Sequence, residues 1–247
     1  MLGLDLFEDG AYTIFCTFLA CLFVPIFILA LLQLVNDFKE LKSNSIKTYW
    51  LILTLFYIGA YVLVYPGFIS YDDSFLPSTL FKSQILEWLS FTYSNFISIG
   101  YILTGGPGFS VGVALFYFLF LALKIFKIID ASLVSASKKH ALGILFFLLA
   151  LHPLNQGLLL SHSRDVLFSL ILGHVGLIGL YDSTWKKYDL ILIGILLVLL
   201  SDIRQEAVIY IVAIPVLFKF YKIIGTAHLL WSCKLRREVW PWNAVFV

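Results

Sequence analysis

Apolar runs of membrane-crossing length recur along this chain, and that recurrence limits the fold more than any other feature. About twenty apolar residues in a helix cross a hydrocarbon core of roughly 30 Å. Helix also satisfies every backbone polar group inside lipid, where no water can. Runs of this length or somewhat shorter cover residues 11–35, 49–67, 109–128, 141–153, 166–181, 190–200 and 207–223. Composition agrees: 61% of the 247 residues are hydrophobic and 13% charged, where a soluble domain has about half and about a quarter. The expected fold class is all-α, a polytopic membrane protein with about seven transmembrane helices. They form one transmembrane domain, 1–223, followed by a basic tail, 224–247. A net charge of +2 gives no footing for a nucleic-acid partner. Cys16, Cys21 and Cys233 lack the spacing of a disulfide framework or a metal site.

Two prolines bear on the helices. Pro25 lies inside the first run, where neighbouring helices can re-satisfy the freed carbonyl. Pro153 kinks or ends the fourth run. Residues 84–104 have a different pattern: Ser90, Ser94, Ser98 and Tyr101 share one helical face, with Leu89, Phe96, Ile99 and Leu103 on another. That pattern predicts an amphipathic helix lying in the outer interface. Thr104-Gly105-Gly106-Pro107-Gly108 then ends it.

Charge sets the orientation. All of the 17 basic residues except Lys82, Arg164 and Arg204 fall in segments 36–48, 124–140, 182–189 and 219–247. The positive-inside rule makes those segments cytoplasmic. The N-terminus is then outside and the C-terminus cytoplasmic, in a multi-pass membrane protein. A span at 84–104 would put every later loop on the wrong side. The inner lysines, Lys124 and Lys127 among them, read as topogenic.

The three outer cations each lie near carboxylates. Asp72 and Asp73 stand in Phe68-Ile-Ser-Tyr-Asp-Asp-Ser74, with Lys82 nine and ten residues on. Arg164 adjoins Asp165, and Arg204 lies between Asp202 and Glu206. His152 and His162 fall in the same outer layer. Ionisable groups at membrane depth cost roughly 2.5–3.5 kcal/mol each, so they pair or line a polar path. Asp72 or Asp73 is placed to act as a general base on an acceptor hydroxyl. Arg164 and Arg204, with Lys82, suit a phosphate-bearing leaving group, because the guanidinium fork bonds two oxygens at once. Structural readings stand beside these. The aspartates suit N-caps, Lys82 a solvated loop charge, and Arg164–Asp165 and Arg204–Glu206 interhelix pairs. His162 reads as a polar loop residue before a ligand, and His174 as a structural hydrogen-bonding group. A divalent metal at the Asp pair is an open alternative, although two carboxylates alone are a weak signal for one; no other cofactor is implied.

These residues also carry a resemblance. A run ending Tyr65-Pro66-Gly67, then Ile69-Ser-Tyr-Asp-Asp-Ser74 and an outer amphipathic helix, resembles bacterial membrane glycosyltransferases of the GT-C class. Ser163-Arg164-Asp165-Val166-Leu167-Phe168 is similar to the basic-Asp-x-x-Phe element that opens a later span. Asp202-Ile203-Arg204-Gln205-Glu206 is similar to the polar outer-loop element after it. The resemblance implies transfer of a sugar, with inversion, from a polyprenyl-phosphate carrier to an envelope glycan or lipid acceptor on the outer face. It places the catalytic base on Asp72 or Asp73. Substrate contacts would then fall to Lys82, His162, Arg164, Asp165, Asp202, Arg204 and Glu206. Two features depart from the family pattern: Trp88 is followed by Leu89-Ser90-Phe91 where His-Pro is expected, and the chain is short, as a truncated member would be. The same outer charges also suit a transporter or flippase for a lipid-linked glycan, or a non-catalytic subunit of its assembly system.

Overall fold

The computed structural model describes residues 10–65, 67–69, 108–132, 134–181 and 187–204, with isolated positions between 93 and 106 and positions 209 and 213. Helix dominates: α1 (Gly10–Glu40), α2 (Asn44–Val64), α3 (Gly108–Ala131), α4 (Ala136–Ala150), α5 (Pro153–Leu159), α6 (Arg164–Tyr181) and α7 (Lys187–Ile203). Two two-residue strands, β1 (Phe68–Ile69) and β2 (Ser161–His162), make one short parallel bridge. The described residues are all-helical apart from that bridge and the short turns.

Two of these helices, α2 and α3, are long and apolar enough to cross a membrane. A third span is added if α4 and α5, bent by 57° at Pro153, count as one. The described residues thus give two to three candidate spans, against the seven expected. The first run is longer than expected, because α1 continues unbroken past Pro25 and on through Asp37 to Glu40. The seventh expected span, 207–223, and most of the interfacial helix, 84–104, lie outside the described residues. Of that helix, Tyr93, Ile97, Ile99 and Gly100 are buried. Ile99 is buried as its place on the expected apolar face predicts, and Phe96 of the same face is half-buried.

The central element is α3, which packs against α1, α2, α4 and α6. More of α3 is buried than of α2. Trp50, Leu53 and Tyr57 of α2 meet Leu115, Leu119 and Phe126 of α3 in one core, with Val166 and Leu170 of α6 at its edge. Ile171 and Val175 of α6 form a second core with Leu196, Leu197 and Leu200 of α7. Tyr117 of α3 packs against both.

Lipid offers no partner to a buried polar atom, so interhelix bonds to carbonyls carry the polar tips of the aromatic residues. Trp50 Nε1 donates to Leu119 O at 3.1 Å, and the Tyr57 hydroxyl donates to Ala150 O at 2.6 Å. His174 meets the Tyr117 hydroxyl through Nδ1 at 2.7 Å, the structural role expected of it.

Candidate active site at one end of the helices

At the end of α2, the chain turns on Gly67. Its φ of +104° lies in the region that L side chains avoid. A Cβ there would fall 2.8 Å from Val111 Cγ2 and 2.9 Å from the Leu160 carbonyl oxygen. Gly108, first residue of α3, is equally tight: a Cβ would sit 2.5 Å from the Tyr65 ring. The Tyr61 hydroxyl donates to Gly108 O at 2.6 Å. Two glycines and two tyrosines thereby fix where α2 hands the chain to β1.

The bridge then sets register. Phe68 pairs with Ser161 and Ile69 with His162, in parallel. Both strands therefore leave the bridge in the same direction, one toward Ser70-Tyr-Asp-Asp73 and the other toward Ser163-Arg164-Asp165. The Ser163 hydroxyl accepts from Asp165 N at 3.2 Å and caps α6. Asp165 lies in the first turn of α6, where the helix dipole favours an anion.

Arg204 closes this end from the other side. It follows the last turn of α7, its own N–H donating to Leu200 O at 3.0 Å. Its Nη2 meets Asp165 Oδ1 at 2.5 Å, and its guanidinium lies over the Phe168 ring at 5.6 Å. Arg204 Nε is buried with no hydrogen-bond partner among the described residues. Both members of the pair stay accessible, with side chains 36% and 52% exposed.

The structure thus joins Arg204 to Asp165, with Arg164 beside Asp165 in the first turn of α6 and the backbone of His162 in the bridge just before it. Asp202 lies two residues before Arg204, in the last turn of α7, half-buried. The cation opposite Asp165 is Arg204, where the sequence had offered Arg164–Asp165 and Arg204–Glu206 as the structural pairs. Asp72, Asp73, Lys82 and Glu206 lie outside the described residues. His152 is not part of the group: it caps α5, its Nδ1 accepting from Leu154 N at 3.3 Å. Among the described residues, no three His, Cys, Asp or Glu side chains cluster as metal ligands.

A second polar layer occupies the opposite end of α3, and the sequence reading missed it. Asp37 is fully buried, 2.5 Å from Lys124 Nζ and 2.7 Å from Lys127 Nζ. Lys127 also reaches Glu40 at 2.5 Å, and Gln33 Nε2 donates to Asp37 Oδ1 at 3.2 Å. Lys124 and Lys127 therefore join α1 to α3 as ion-pair partners, a more specific role than topogenic charges. Burial alone would raise the Asp37 pKa, but its bonds to Lys124, Lys127 and Gln33 hold it below the usual carboxylate value. Helical spacing carried a signal: Gln33 and Asp37 are four apart, and Lys124 and Lys127 three apart, so each pair shares a face.

No family model, no curated protein and no solved structure matches this chain.

Proposed function

We propose that the protein is a membrane glycosyltransferase of the GT-C type, moving a sugar from a polyprenyl-phosphate carrier to an envelope glycan or lipid acceptor. In this reading seven helices cross the bacterial cytoplasmic membrane, with the N-terminus outside and the tail inside, and the bridge faces outward. The observation that supports it is the parallel register of β1 and β2. It starts the Asp72–Asp73 segment beside the strand that leads into Arg164 and Asp165. Asp72 is three residues beyond Ile69, a tether of no more than about 11 Å.

Asp72, or Asp73 beside it, takes the proton of the acceptor hydroxyl. The freed oxygen attacks the anomeric carbon from the face opposite the phosphate, the carbon–oxygen bond to phosphate breaks, and configuration inverts. Arg204 and Arg164 hold the departing lipid phosphate and stabilise the charge that grows on it. Asp165 aims Arg204, whose unbonded Nε remains as a donor.

The test is transfer by the purified, reconstituted protein from a panel of polyprenyl-phosphate sugars. Asp72→Asn or Asp73→Asn should lower the rate by about 10²–10⁴-fold, the usual cost of a lost general base. Asn caps a helix about as well as Asp, so the inactive variant should insert and melt like the parent. Full transfer activity in both single variants and the double variant would end the assignment.

A further inference from the structure

At the end of α3 that holds Asp37, two turns of chain are stitched into one basic surface. Asp130 is buried at the end of α3. Its Oδ2 accepts from Lys42 N at 2.5 Å and Ser43 N at 3.2 Å, in the turn between α1 and α2. Its carbonyl accepts from Lys139 Nζ at 2.5 Å, in the first turn of α4. One residue thus holds the α1–α2 turn against the start of α4. Tyr49 of α2 and His140 of α4 add a second tie, hydroxyl to Nδ1 at 3.1 Å.

Lysine collects on the joined surface. Lys39, Lys42 and Lys138 are exposed, and Lys47 and Lys139 half-buried. Among the described residues the nearby carboxylates are already engaged, Asp37 and Glu40 by Lys124 and Lys127, and Asp130 by backbone N–H groups. The surface therefore has cationic charge left over.

Exposed apolar stripes begin directly beyond these lysines. On α4, Lys138 shares a helical face with Leu142, Leu145 and Leu149, which are 44%, 55% and 56% exposed. On α2, Lys47 leads a similar row through Leu51, Leu55 and Val62, all exposed. A ligand that satisfies both layers has an anionic head and an apolar tail. A soluble anion would leave the stripes bare, and a neutral lipid would leave the lysines unanswered.

We infer that the surface formed by Lys39, Lys42 and Lys138, joined through Asp130, binds the phosphate headgroup of an anionic phospholipid whose chains lie along the apolar faces of α2 and α4. This is independent of sugar transfer and needs only that α2 and α4 contact lipid.

The test uses the full chain in detergent, offered equal phosphatidylglycerol and phosphatidylcholine and read by native mass spectrometry. A surface lysine contributes about a fivefold preference for anionic lipid. Wild type should retain phosphatidylglycerol over phosphatidylcholine by roughly tenfold or more on that basis. The double variant Lys42→Gln, Lys138→Gln should lose most of that preference, and it spares Lys139 and the Asp130 bonds. Equal retention of both lipids by wild type, or an unchanged preference in the double variant, would overturn the inference. Displacement of phosphatidylglycerol by equimolar inorganic phosphate would also overturn it, and would assign the surface to a soluble phosphate.

Discussion

Gly67→Ala tests whether the bridge positions the candidate site. The backbone at φ +104° costs a non-glycine residue about 1–3 kcal/mol. The added methyl must also enter a space closed by Leu160 O at 2.9 Å and Val111 Cγ2 at 2.8 Å. Val111 can rotate, but the Leu160 oxygen belongs to the backbone entering β2, so relief requires β2 to move. Overpacking of this kind costs about 1–3 kcal/mol, and partial relief through β2 makes about 3 kcal/mol in total a reasonable expectation. The assay pairs thermal unfolding with a register-specific crosslink. In a background without native cysteines, Ile69→Cys with His162→Cys should form a disulfide, because paired strands lie about 4.8 Å apart, within the Cα range a disulfide accepts. Adding Gly67→Ala should lower both the melting temperature and the crosslink yield. Gly59→Ala is the control: a Cβ there meets nothing within 4 Å, and replacing a mid-helix glycine stabilises by about 0.5–1 kcal/mol. Unchanged stability and crosslinking in Gly67→Ala would refute the positional role of this glycine.

Three further substitutions address the polar layers. Arg204→Ala should cost less than about 1 kcal/mol of stability, since its partner is an exposed carboxylate, yet it should weaken use of a lipid-phosphate donor by about tenfold or more; unaltered donor kinetics would return Arg204 to a purely structural role. Arg204→Lys should restore little of that loss, because lysine has no planar fork. Asp37→Asn should destabilise by about 3 kcal/mol, the lower end of the range for stripping one partner from a buried pair, because Lys124 and Lys127 keep 30% and 24% exposure. The depressed Asp37 pKa fixes the sign of its pH dependence: its contribution is complete above the unfolded value of about 3.9 and is lost as pH falls through the lower folded value. Acid melts of wild type should therefore fall more steeply below about pH 4 than those of Asp37→Asn; parallel curves would contradict this.

The helices were legible in the sequence because each depends on a local run of apolar residues. The break before Pro153 was legible for the same reason, since proline acts on its own backbone. The run from Asn36 to Glu40 was not, because four polar residues in five resemble the start of a loop unless their distant partners are known. Asp37 and Lys127 are 90 residues apart, and no local pattern announces such a pair. The bridge was invisible for a different reason: two residues per strand give no alternation to detect. Gly67 was marked as the end of a run, but its contact with Leu160 could come only from the fold. At the candidate site, Arg164 and Arg204 stood out in the sequence because they broke the positive-inside pattern, and Asp165 because it adjoins Arg164. Which carboxylate met which cation depended on how α6 packs against α7.

The two ion-pair layers show why only one suits a site. Lys124–Asp37 and Arg204–Asp165 have the same separation, 2.5 Å, but different surroundings. Asp37 is fully buried and meets two lysines. Withdrawing either lysine would strand charge in a low-dielectric interior, so the cluster behaves as a fixed tie between α1 and α3. Asp165 and Arg204 keep 52% and 36% exposure, and water can solvate either as they separate, so opening the pair costs about 1 kcal/mol or less. In the proposed reaction the singly charged phosphodiester of the donor can therefore share the guanidinium at small cost and draw on it further as the second charge develops, with the Phe168 ring beneath the cation. Weakness of the exposed pair is thus what would allow Arg204 to exchange partners in the proposed reaction, while the buried cluster ties α3 to α1.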